Sequence, residues 1–96
     1  LTTMRTVTLL KRLEKRYTGS KNSTSYKLVK AVIEDNKKMI RPVYTSGYGR
    51  YIQNMDYTKD TEELLTLLGV KYKTGNDAPR GGKTGNYILI LTKIVK

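Results

Sequence analysis

A chain of 96 residues with 19 Lys and Arg against 8 Asp and Glu has a formal net charge of +11, a positive field around a small body that favours polyanions over neutral or cationic partners. It has no cysteine and no histidine, which excludes a disulfide framework, thiolate zinc sites, thiol catalysis and histidine general-base chemistry. Hydrophobic residues are 38% of the chain and come in clusters, so it is expected to fold as one small basic domain over 1–96; without an apolar run of signal-peptide or membrane-spanning length it reads as soluble and cytoplasmic.

Met4, Val7, Leu10, Leu13 and Tyr17 recur at spacings of three and four and predict an amphipathic first helix, capped by Thr2 or Thr3 and stopped by Gly19. The polar, turn-forming run from Gly19 to Ser25 predicts a loop or short linker. The β-branched run from Tyr26 then predicts a hairpin, 26–34 with 39–45, around the polar turn that starts at Glu34. A helix over the same segment competes with it, with Leu28, Val29, Val32 and Ile33 as its stripe and Ser25 as its cap. Pro42 lacks an N–H for a ladder and puts the second strand at a sheet edge.

Ser46 to Tyr51 carries two glycines among tyrosines and predicts a loop. Asp60, Glu63 and the leucines at 64, 65, 67 and 68 predict a capped helix of about eight to nine residues, ended by Gly69. Val70 to Thr74 alternates as a strand with one charged face, and Tyr87 to Val95 reads as one nearly continuous apolar strand of central type. The turn-forming residues from Gly75 to Gly85 join these two into a long-looped hairpin. The expected order is α-β-β-α-β-β, an α+β fold with a small antiparallel sheet of about four strands packed with two helices.

The charge is concentrated at the front, since residues 1–50 hold 12 basic and 3 acidic side chains and residues 51–96 hold 7 and 5. Candidate phosphate contacts are therefore Arg5, Lys11, Arg12, Lys15 and Arg16 on the first helix, then Lys27, Lys30, Lys37, Lys38 and Arg41. The plainer reading of the first group is a solvated helix face with good helix propensity. All eight aromatic residues are tyrosines. Tyr44, Tyr48 and Tyr51 interleave with Arg41 and Arg50, a combination suited to unpaired nucleic acid, with Tyr48, Arg50 and Tyr51 meeting bases. The plainer reading there is tyrosines closing the edge of a core with their hydroxyls wet.

Arg80-Gly-Gly-Lys-Thr-Gly85 resembles a phosphate loop but lacks the first glycine, where Asp77 stands, and is followed by a strand rather than a helix. Its glycine amides beside Arg80 and Lys83 retain the capacity to form an anion-binding concavity, against the plainer reading of turn geometry. The carboxylates are too few and scattered for a two-metal nuclease, and Glu34, Asp35 and Lys37 in a predicted turn make a poor carboxylate-lysine one. A nucleophilic tyrosine finds no supporting base or metal.

The expected function is thus non-enzymatic binding of DNA or RNA, with no cofactor and no metal, by a protein in the style of phage or mobile-element accessory proteins. The alternative is a protein-interaction or structural module, or a small inhibitor, docking on an acidic protein partner. Edge-strand pairing leaves room for a homodimer. A third reading is that the charge serves solubility alone.

Overall fold

Residues 24–35 form a helix and not a strand, and this reorders the fold. The computed structural model describes residues 3–48, 51–76 and 86–96. Strand β1 (Thr3–Arg5) leads into helix α1 (Thr6–Arg16), followed by α2 (Thr24–Asp35), β2 (Met39–Ile40), β3 (Val43–Tyr48), β4 (Tyr51–Asp56), α3 (Thr58–Leu68), β5 (Tyr72–Asn76), β6 (Asn86–Ile90) and β7 (Lys93–Val95). The class is α+β as expected, but with three described helices instead of two. The strands form an antiparallel sheet in the order β2-β6-β5, an antiparallel pair β3-β4 and a parallel pair β1-β7.

The cap of α2 is Ser23 rather than Ser25: the Ser23 side chain accepts the Tyr26 N–H at 3.2 Å, whereas Ser25 is buried. From there Tyr26, Val29, Val32 and Ile33 recur at helical spacing on the buried side. Burying that stripe outweighs the strand preference of its β-branched residues. Asn36, in the left-handed region at φ 53°, ends the helix.

With 26–34 helical, the expected hairpin to 39–45 does not form. Met39 and Ile40 instead pair with Leu89 and Ile88 of β6, and 43–48 pairs with β4 from Val43 opposite Asp56 to Tyr48 opposite Tyr51. The segment expected as a loop at 46–51 therefore lies largely within two strands. Pro42 is buried just beyond β2, an edge strand of its sheet, and its carbonyl accepts the Tyr57 N–H at 2.8 Å.

The first helix starts at Thr6, later than its expected caps, because Thr3, Met4 and Arg5 pair in parallel with Lys93, Ile94 and Val95. Pairing with β1 also explains why the expected strand from Tyr87 to Val95 is broken. The Lys71 carbonyl accepts the N–H groups of Leu91 and Thr92 at 2.8 and 3.2 Å, and the Thr92 hydroxyl accepts the Lys71 N–H at 2.7 Å. There the chain leaves the antiparallel ladder and turns toward β1. Strand β6 is central, as expected, between β2 and β5.

Helix α3 is the element nearest its expectation, although it runs 11 residues and Asp60 sits in its first turn instead of capping it. Its entry is held by Asp56, whose carboxylate accepts the Thr58 N–H at 2.8 Å. The Thr58 hydroxyl, and then that N–H, hold the Asp56 carboxyl below its ordinary range.

Leu9 and Leu13 of α1, Val29, Val32 and Ile33 of α2 and Leu64, Leu65 and Leu68 of α3 meet Ile40, Ile88, Ile90 and Ile94 from the strands in one buried cluster. The helices thus occupy one face of the β2-β6-β5 sheet. Because side chains alternate across a strand, Met39, Leu89 and Leu91 stand on the other face.

Candidate nucleic-acid interface

The five cations of the first segment divide by what they face. Arg12 and Arg16 lie four residues apart on the flank of α1 that meets α3. Arg12 Nη1 donates to the Leu68 carbonyl at 2.7 Å, and Arg16 Nη1 donates to the Leu67 carbonyl at 2.9 Å. The last four carbonyls of a helix have no partner within it. In α3 the Gly69 N–H reaches Thr66 at 3.1 Å and the Val70 N–H reaches Leu65 at 3.0 Å, a Schellman arrangement that Gly69 permits at φ 76°. The two arginines take the remaining two and place positive charge at the negative pole of α3. Both were expected to contact phosphate; each spends one N–H on tying α1 to the end of α3, and Arg16 stays exposed.

Lys11 and Lys15 sit one residue before these arginines, on the exposed side of α1. They are solvated and make no ion pair among the described residues, as is also true of Lys27 on α2 and Lys37 in the turn that follows it. Lys30 is exposed too but stands 3.6 Å from Glu34 in an i,i+4 pair, which lowers its claim on a phosphate. Arg5, Lys38 and Arg41 are exposed at the end of β1 and on either side of β2. Glu34 and Asp35 form the last turn of α2, not the hairpin turn expected of them.

Of the tyrosines, Tyr17 and Tyr26 are structural. Their rings stack with centroids 4.9 Å apart, and the Tyr17 hydroxyl donates to the Ser20 carbonyl at 2.7 Å while lying 3.0 Å from the Ser23 hydroxyl. The pair braces the α1–α2 turn beside the α2 cap. The side chains of Tyr44, Tyr48 and Tyr51 lie outside the described residues, as do Arg50, Arg80 and Lys83 altogether.

One basic cluster escaped the sequence reading, and a second, read as the charged face of a strand, is now placed in the fold. Lys93 and Lys96 join Lys38 and Asn36 around a cleft of about 320 Å³ that also holds Glu34 and Thr6. Lys73 of β5 and Lys71, just before that strand, lie exposed, and the register puts Lys73 on the side of the sheet away from the helices. A continuous strand from Tyr87 to Val95 gives no reason for Lys93 to approach α2, and face assignment on β5 needs its register with β6.

Among the described residues no helix is long and apolar enough to cross a membrane, and no group of three acidic side chains converges as a metal site would require. No family model matches the chain, and neither the curated proteins nor the solved structures contain a match to it.

Proposed function

We propose that the protein binds nucleic acid in the cytoplasm without catalysing a reaction, meeting backbone phosphates with the exposed lysines of α1 and α2. The observation that supports it is the combination of a +11 charge with Lys11, Lys15, Lys27 and Lys37 exposed and without ion pairs among the described residues. Such cations hold their field outward and release counterions when a polyanion replaces solvent. Arg12 and Arg16 are no longer part of the contact set, which moves the surface from the α3 side of α1 to its outer side.

Substituting Lys11, Lys15 and Lys27 together with glutamine is expected to weaken binding to single-stranded oligonucleotide about tenfold at low salt. It should also flatten the slope of log K against log salt by roughly 2, at about 0.7 per lost contact. The melting temperature should move little, because all three side chains are solvated. A slope unchanged by the triple substitution would remove the helices from the binding surface.

Val7 supports a second reading, docking on an acidic protein. It is 58% exposed and lies one helical turn before Lys11, so α1 presents an apolar group beside a cation. A partner packed on Val7 gives an affinity that Val7→Asp abolishes and that salt changes little.

A further inference from the structure

We propose that the open face of the β2-β6-β5 sheet seats unpaired nucleobases, which makes single-stranded nucleic acid the ligand; this rests on the nucleic-acid reading above and adds where the bases go. The register places the face. Leu89 of β6 stands between Met39 of β2 and Lys73 of β5, and Tyr87 stands opposite Gly75. Leu91 follows on the same side, its N–H on the Lys71 carbonyl. The opposite alternation, Ile40, Ile88 and Ile90, is buried under the helices.

Among the described residues this outer face is apolar and partly exposed. Met39 is 44% exposed and Leu91 is 50% exposed, two of the three large hydrophobic side chains that stand exposed among the described residues. Tyr87 is half-buried, and its ring lies across Gly75: a Cβ at that glycine would collide with the ring carbon Cζ. The glycine therefore lets the ring lie along the sheet with one side on the backbone, and in the proposed seat a base stacks on its other side.

Charge selects the occupant. Lys73 stands opposite Leu89, and Lys71, just before β5, holds the Leu91 N–H on its carbonyl, so the face offers cations next to a surface for flat rings. A single strand has both parts, an anionic backbone and base faces free to stack, whereas a duplex hides its base faces. A second copy of this chain fits poorly, since face-to-face pairing would bring the Lys71 and Lys73 columns of two +11 bodies together.

The test is fluorescence anisotropy of labelled oligothymidylate and of a duplex of the same length, with wild type, Tyr87→Leu, Tyr87→Phe and the double variant Lys71→Gln/Lys73→Gln. Tyr87→Leu is expected to lower single-strand affinity roughly 5- to 30-fold with less than about twofold change for duplex, and Tyr87→Phe is expected to keep it, since the ring and not the hydroxyl stacks. The double variant changes only exposed side chains, so it reports even if Tyr87→Leu does not fold, and it should lower single-strand affinity several-fold. Wild-type binding to both ligands that neither Tyr87→Leu nor the double variant alters would overturn the sheet-face seat and leave the phosphate-binding reading standing. No salt-sensitive binding to either ligand would remove both. Sedimentation as a dimer that Leu91→Glu dissociates would make the face a contact between copies and overturn the proposal.

Discussion

Leu65→Ala is expected to cost about 3 kcal/mol of folding free energy and to lower the melting temperature by roughly 12–24 °C for a chain of this length. Leu65 is 0% exposed on α3, the helix that packs against both α1 and α2. Truncation there removes the transfer free energy of the buried carbons and leaves a cavity that three helices cannot easily close around. Against a total stability on the order of 5–15 kcal/mol, the loss is a large fraction. The matching control is Val7→Ala, at a side chain 58% exposed, with an expected change within about 0.5 kcal/mol. Chemical denaturation of both variants checks the pair. A Leu65→Ala cost under about 1 kcal/mol would mean that α3 is not packed as described.

The second large effect belongs to a residue whose charge invites another role. Arg12→Met is expected to destabilise the protein by about 2 kcal/mol, because it removes a charge-assisted hydrogen bond and leaves the Leu68 carbonyl without its partner. Methionine keeps most of the apolar stem, so the loss reports the guanidinium rather than packing. Arg16→Met should cost less, since the Arg16 contact to Leu67 is exposed. At a temperature where the variant stays folded, affinity for single-stranded oligonucleotide should fall by no more than about threefold, the effect of one lost charge at a distance. Stability unchanged with affinity lost tenfold would return Arg12 to the phosphate surface and contradict the assignment made from its geometry.

How far the sequence reached depends on whether the deciding contact is local. Helix α3 was legible because its determinants sit within it: leucines at helical spacing and a glycine at its end. Helix α2 was misread because Val29, Val32 and Ile33 favour a strand in isolation, and only their burial against α1 and α3 settles the matter. Its cap was also ambiguous, with hydroxyls at Ser23, Thr24 and Ser25 all in place to serve. The strands failed for a plainer reason. Met39 finds Leu89 and Thr3 finds Lys93 across most of the chain, and no spacing within a window announces either pairing.

The candidate site divides in the same way. Net charge and its excess in the first half were legible by counting. The division of labour between arginine and lysine on α1 was not, because it turns on which flank of that helix meets the end of α3. Arginine suits the structural task, with a planar fork that reaches backbone carbonyls, and lysine suits a solvated surface. Tyr87 was passed over for the tyrosines near Arg50 because its value lies in the glycine opposite it, a fact of register.

The most direct test of the account is the affinity of the unmodified protein for labelled single-stranded oligonucleotide across about 50 to 200 mM salt. Contacts from Lys11, Lys15, Lys27 and Lys37 predict a slope of log K against log salt near −3 or steeper, at about −0.7 per phosphate neutralised. Binding that is absent at low salt, or a slope shallower than about −1, would contradict a nucleic-acid-binding role and leave the charge without a polyanionic partner.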